Sequence, residues 1–567
     1  MDDEKILEIK KLFSEKRYLE LIFLIEHQID DGEINSNLLN LLGACKVIKE
    51  KPSKEDFMSA IENFKQAYLK EKKTKVALES LRNFINSSVD LYDYENSPAN
   101  HKISVSNFLD AILFFKEIQS FYENDELLTL AITRVFKRLG DTDKTIFYLG
   151  KLLENKHYRT LTICSYIYQN CFSNSWSQKE FFKYAKLLAE KQPIYPDNEM
   201  VKIVNSKKDK IRIAFLSSDL KASHSVIYFL KTILSNYNKD KYEIYFYLNN
   251  KEETYDDVTE NLIRLIDKTT NISTLGDIQA INLIRKDQID IMFDLMGVTS
   301  KNRIALFKNR LAPTQISWCG FCNTTGLNEM DHIIADPNLI YDEEKNLYSE
   351  KIIYLPDIWN CHSGLTVERE EYLSPFIKNN YITFGSFNNF LKINDNVIDV
   401  WSKILQNVKN SKLILKSSSP RVVTKLTEKF KKNDVLKSIV FEDTKNNIKD
   451  HLNLYQKIDI ALDTFPYNGV TTSFEAIWMG VPVLTMRGYN FHSRCGESIN
   501  KNIKLDCLIA KNENDYFIKA KELSENTEKL LNIRKMIFKD ALTSPLFDVK
   551  RFSNEFFNSL EKIYNQL

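Results

Sequence analysis

Glycine and proline are scarce in this chain: 14 Gly and 12 Pro among 567 residues. That composition excludes long flexible linkers and extended proline-rich segments. An excess of one charge is missing too, since 78 Lys+Arg stand against 77 Asp+Glu. No basic bias invites nucleic acid, and no acidic tail is present. No apolar run reaches the ~20 residues a membrane helix needs. The start, MDDEKILEIK, lacks the charged-then-apolar order of a secretion signal. Cysteines number eight, at 45, 164, 171, 319, 322, 361, 495 and 507, too sparse for a disulfide framework. The expectation is a cytoplasmic protein with no membrane span and no nucleic-acid partner.

One cysteine pair, Cys319-Gly-Phe-Cys322, resembles a metal or redox motif. Zinc needs four ligands, and His332, Cys361 and His362 do not form a second knuckle. A redox pair needs its first Cys at a helix start, whereas ISWCGFC reads as a strand entering a loop. Both are expected to be packing residues.

Length leaves room for roughly three or four domains. The first two hundred residues are helical in period. Leu39, Leu42 and Gly43 recur at helical spacing, followed by Ala60, Phe64 and Ala67. This small–large–small ladder fits tetratricopeptide-like hairpins, and a generic helical solenoid fits it nearly as well. A second copy surrounds Arg138-Leu-Gly-Asp141. Asp141-Thr-Asp143 mimics a metal-binding pair but falls in a helix–helix turn, where capping is expected. Near QPIYPDNEM (192–200) the pattern changes. From Lys210 onward, β-rich runs such as IRIAFLSS, YEIYFYL, IDIMFDLMG, KLILKS and VPVLTM alternate with amphipathic helices. Such alternation predicts parallel sheets covered by helices on both faces. Ten or more strands exceed one sheet, and the polar stretch from Cys361 to Asn380 is the expected seam. Three regions follow: helices over 1–205, a first doubly wound lobe over 206–375 and a second over 376–567. Ligands bind beyond the carboxyl ends of strands in such sheets.

Three strand ends carry candidate chemistry. DIALDTFPYNGVTTSFEAIWMGVPVLTM (459–486) reads as strand, turn, helix and strand. Thr471, Thr472 and Ser473 put hydroxyls and free N–H groups at a helix start, which suits a diphosphate. Glu475, one turn in, is placed to accept hydrogen bonds from a ribose. FGSFNNFLKI (384–393) brings Asn388, Asn389 and Lys392 off a strand, where the lysine can neutralise a departing diphosphate. IAFLSSDLKASHSVIYFL (213–230) sets His224 just before a helix, either to take a proton or merely to cap the helix. His451 precedes the phosphate turn by about twenty residues, at a place suited to stacking on a base.

These motifs, with LAPTQISW, TTGL and SRCGESI, resemble over residues 205–560 the catalytic region of the family-41 glycosyltransferases. That is the O-GlcNAc transferase and SPINDLY group, whose catalytic region also follows tetratricopeptide repeats. The resemblance implies a GT-B fold of two Rossmann-like lobes behind a tetratricopeptide-like helical domain. It implies metal-independent, inverting transfer of GlcNAc from UDP-GlcNAc to Ser or Thr of a protein acceptor, with no cofactor. The helical region would then read the acceptor, and oligomers are compatible with it. By position, His224 resembles the active-site histidine and Lys392 the diphosphate lysine, with Asn389 three residues earlier. His451 resembles the histidine beside the base, Thr471 and Thr472 the phosphate-binding threonines, and Glu475 the ribose-binding acid. GDP-fucose as donor, glucose transfer to Asn, and an inactive repeat scaffold are the alternatives. Departures fall in the first lobe: a longer loop before His224, Val298 where many bacterial members have His, and Cys322-Asn323 where Pro-Gly is common.

Overall fold

The protein is described here by a computed structural model, covering residues 3–30, 34–94, 101–122, 125–154, 159–203, 208–222, 224–365, 369, 371–417, 420–445 and 447–566. It divides into two compact units, Met1–Thr162 with Ser417–Leu426, and Ile163–Lys416 with Thr427–Leu567. Among the described residues no helix is long and apolar enough to cross a membrane.

The first unit is helical. Its core gathers Phe64, Tyr68, Phe84 and Phe108, all essentially unexposed. The expected close packing is present where Gly43 meets Phe64: a Cβ on Gly43 would lie 2.7 Å from that ring. Ser53 and Asp56 form a reciprocal capping box on the helix Lys54–Lys70. Asp141 also caps, accepting from the Lys144 N–H at 3.2 Å, so its acidic doublet has the capping role read for it.

The second unit carries two wholly parallel sheets. Strands β1 (Ile211–Ser217), β2 (Tyr242–Leu248), β3 (Lys268–Asn271), β4 (Ile291–Asp294), β5 (Thr314–Ser317), β6 (His332–Ala335) and β7 (Lys351–Tyr354) form the first. Their order is β3-β2-β1-β4-β5-β6-β7. Strands β8 (Thr383–Ser386), β9 (Lys412–Lys416), β10 (Ile439–Glu442), β11 (Ile460–Leu462), β12 (Val483–Met486) and β13 (Ile509–Ala510) form the second, ordered β10-β9-β8-β11-β12-β13. Central strands are buried on both faces: every residue of β4 and residues 213–217 of β1 are buried, with Phe215 stacked on its register partner Phe293 at 4.9 Å. In each sheet the order reverses once, between β1 and β4 and between β8 and β11. Crevices open at such reversals, beyond the carboxyl ends of the strands.

Two expected boundaries move. The helical region does not run to 205 as one body: from Ile163 the chain belongs with the sheets. The reason is packing, because Phe172 stacks on Tyr467 at 5.4 Å and Phe181 meets His492 at 5.2 Å. Gln178 and Asn323 also exchange side-chain hydrogen bonds at 2.9 and 3.2 Å. Nor does 376–567 stay with the second lobe. The helix Val549–Tyr564 returns to the first, setting Phe556 against Trp318 at 4.9 Å and Phe557 against Tyr242 at 4.6 Å.

Candidate active site

At the second reversal β11 ends and the chain turns through Asp463–Val470 into the helix Thr471–Trp478. Asp463 organises that turn. Its buried carboxylate accepts from the N–H groups of Gly469 (2.6 Å) and Thr464 (2.8 Å) and from the Thr485 hydroxyl (2.7 Å). Burial pushes its carboxyl up to about 6 against those bonds and the Lys392 charge. Gly469 is required by space: a Cβ there would lie 2.5 Å from Thr472 Oγ1 and 2.7 Å from Asn388 Oδ1. The residue preceding the helix is Val470, whose side chain cannot cap it. The first N–H groups of Thr471–Trp478 therefore stay without a side-chain acceptor, at the positive end of the helix dipole. Thr471 and Thr472 stand half-buried there, and the Thr472 hydroxyl donates to Asn388 Oδ1 at 2.8 Å.

One turn further in, Glu475 is buried and joined to His451. Nε2 of His451 lies 2.9 Å from Glu475 Oε2, and Nδ1 lies 3.5 Å from the Lys416 ammonium. With the lysine donating to Nδ1, Nε2 carries the proton and donates to the carboxylate. The Tyr455 hydroxyl donates to the same Oε2 at 2.8 Å. Burial alone would raise the Glu475 carboxyl. The hydrogen bond from His451, the Lys416 charge and the Tyr455 hydroxyl outweigh it and hold the group below the usual range. The two residues expected to meet a base and a ribose thus form one charged, hydrogen-bonded cluster.

Lys392 follows β8. Its ammonium donates to the Asn468 carbonyl at 2.7 Å and sits 4.1 Å from the centroid of the Tyr467 ring. Burial lowers its pKa, opposed by the Asp463 carboxylate nearby. Asn389 is not brought to the turn. It is exposed, and its Oδ1 accepts from the Leu391 N–H at 3.0 Å, capping the short turn Phe390–Lys392. Its neighbour Asn388 is the one that faces Thr472 and Asp463, because alternation along the strand sends it to the side shared with Ser386.

At the first reversal His224 follows β1. Its Nε2 lies 3.7 Å from Asp219 Oδ2, and its buried Nδ1 has no partner among the described residues. It does not cap the helix Val226–Leu234, whose preceding residue is Ser225. Burial lowers its pKa, against Asp219 and with Lys221, which favours a neutral imidazole. That helix joins the lobes: Phe229 meets Phe474 of the phosphate-turn helix at 5.6 Å, and Tyr228 stacks on His362 at 4.6 Å. Asp294 ends β4, accepts from the N–H groups of Met296 (2.9 Å) and Gly297 (3.0 Å), and is pushed up to about 6 by burial. Sequence reasoning singled out neither Asp294, Asp463, Tyr455 nor Lys416. An acid or lysine closing a predicted parallel strand was the available signal for three of them. Among the described residues no group of three or more His, Cys, Asp or Glu side chains could hold a metal ion. Cys319 is pushed well up by burial, as a packing thiol would be.

The second sheet thus ends at an anion-ready helix start with a lysine at its turn, and the first sheet ends at a neutral imidazole. A model of glycosyl transferase family 41 matches residues 181–363 and 360–556. A probable UDP-N-acetylglucosamine–peptide N-acetylglucosaminyltransferase SPINDLY of Solanum lycopersicum is 30% identical over 364 residues, 63% of this chain and 38% of that protein. Its Arabidopsis thaliana counterpart is 32% identical over 337 residues, 57% and 36%. The chain therefore spans well under half the length of these relatives. The structure of a Thermobaculum terrenum O-GlcNAc transferase mutant superposes with a TM-score of 0.77 at 22% identity, over 90% of this chain and 95% of that one. That likeness gives the same fold, two Rossmann-like lobes in the GT-B arrangement behind helices. With the matched family segments taking in both lobes, the chain belongs to glycosyl transferase family 41.

Proposed function

We propose that this protein is an inverting, metal-independent glycosyltransferase that moves GlcNAc from UDP-GlcNAc to a Ser or Thr hydroxyl of a protein acceptor. The observation that carries the reading is the uncapped start of Thr471–Trp478 with Lys392 close by, both at the reversal of the second sheet. Glu475, with His451 at its side, takes the ribose and base. Thr471, Thr472 and the helix N–H groups take the diphosphate. The acceptor oxygen bonds to the anomeric carbon as the bond from that carbon to the diphosphate oxygen breaks. The charge released on the nucleotide is met by Lys392 and the helix end, and the hydroxyl proton passes to the neutral His224 imidazole. The names of the SPINDLY relatives support the UDP-GlcNAc donor and a peptide acceptor. The helices of the first unit are assigned to the protein acceptor, since stacked helical pairs offer an extended surface for a polypeptide.

The test is a panel of UDP-GlcNAc, UDP-glucose and GDP-fucose, reading donor hydrolysis and transfer to protein. UDP-GlcNAc is expected to be used with label arriving on Ser or Thr. Turnover with GDP-fucose alone, or label on Asn, overturns the donor or acceptor assignment. No nucleotide binding at all leaves an inactive scaffold.

A further inference from the structure

The donor-side residues are joined by a chain of contacts, from Glu475 through Tyr455, Thr472, Asn388 and Asp463 to the turn that Lys392 bonds. His451 and Glu475 hold one end, Thr472 and Asn388 the middle, and Lys392 over Tyr467 the other end. The wall does not stop at Lys392. His492 lies 5.2 Å from Tyr467, ring to ring, and Tyr489 lies 6.3 Å from His492. Phe181 closes on another edge of the imidazole at 5.2 Å.

Three polar atoms in this patch are buried and have no hydrogen-bond partner among the described residues: Nδ1 and Nε2 of His492 and the hydroxyl of Tyr489. His492 is 1% exposed. Buried polar groups are nearly always paired, so three together call for a partner. The local turn does not need the imidazole, because Ser493 and Asn490 already hold it through their own hydrogen bonds. Burial and the Lys392 charge hold His492 far down, at about 3, so it stays neutral. A neutral imidazole offers one donor and one acceptor, and a phenol offers both. That set suits sugar hydroxyls and does not suit a phosphate, which wants donors alone. In a donor that follows this chain of contacts, base to diphosphate, the glycosyl group is the part that reaches beyond Lys392.

We propose that His492 and Tyr489 form the sugar subsite, binding hydroxyls of the hexosyl group of the nucleotide-sugar donor. This rests on the donor-site reading above. The test is calorimetric binding by the full chain of UDP against UDP-GlcNAc, and of GDP against GDP-fucose, in the wild type, His492→Phe and Tyr489→Phe. The Phe at 492 keeps the ring contacts and removes both nitrogens, and Tyr489→Phe removes one oxygen. Each variant should bind the free nucleotide within about twofold of wild type, while the ratio of nucleotide-sugar Kd to nucleotide Kd rises about tenfold, the size of one or two lost hydrogen bonds. An unchanged ratio in both variants overturns the subsite and leaves the donor site standing. Failure of the wild type to bind either nucleotide overturns both. Thermal unfolding checks the variants, and Tyr489→Phe alone carries the test if His492→Phe does not fold.

Discussion

The Thr472 hydroxyl donates to Asn388 Oδ1 at 2.8 Å across 84 residues of sequence. The bond ties the loop after β8 to the helix after β11, the two strands that flank the reversal of the second sheet. The hydroxyl carries one proton, so a diphosphate at the helix start would take that bond over from Asn388. Thr472→Val keeps the shape and removes the hydroxyl. Donor Kd should rise about tenfold with little change in melting temperature, as for one lost charge-assisted hydrogen bond. Calorimetry with the nucleotide sugar checks it.

Lys392→Ala should lower kcat by about 10²–10³-fold with the fold intact, the usual cost of removing one donor aimed at developing charge. Single-turnover transfer with saturating donor is the measurement. Near-wild-type turnover in a folded variant removes Lys392 from the mechanism.

Transfer should survive excess EDTA, because Lys392, the threonines and the helix end are assigned the charge that a metal would otherwise neutralise. Loss on chelation, restored by magnesium or manganese, overturns that assignment.

Acid should weaken the fold through two buried neutral imidazoles. Burial lowers His362 to about 4 and His492 to about 3, from an ordinary 6.5. The unfolded chain takes these protons first, so their contribution is whole above pH 6.5 and is lost as pH falls toward 4. Between pH 6.5 and 5 each removes about 2 kcal/mol. Urea unfolding at both values should show the loss, smaller by about that amount in His362→Phe. Equal losses in both proteins would clear His362 of any part.

The packing of Phe172 and Phe181 on the second lobe fixes where the chain can be cut. A fragment starting at Thr160 should fold and keep nucleotide binding, while transfer to a protein acceptor drops sharply. One starting at Pro196 bares Tyr467 and His492 and should melt well below it. Equal acceptor use by the Thr160 fragment and the full chain would make the first unit a buttress instead of a reader.

Much of this was legible because the strands that carry the site are apolar and end in polar turns. Ile460–Leu462 and Thr383–Ser386 stand out in that way. Lys268–Asn271, reading KTTN, does not, since an edge strand half-open to water needs no apolar code. His332–Ala335 and Ile509–Ala510 are too short to show a period. Asn388 was passed over for Asn389 because two adjacent asparagines differ only in strand parity, which shifts with one residue of register. The helical boundary was misplaced because a helix pair that serves the lobes has the same period as one that serves its own array.

The helix Val549–Tyr564 is synthesised after the strands of both sheets described above, yet it covers Phe293 of the first sheet and Trp318 just beyond it. On the ribosome, then, the lobe made first is the lobe finished last. Its aromatic face must wait uncovered while the second sheet emerges and folds. Any nascent chain stalled between the two would show that face to chaperones.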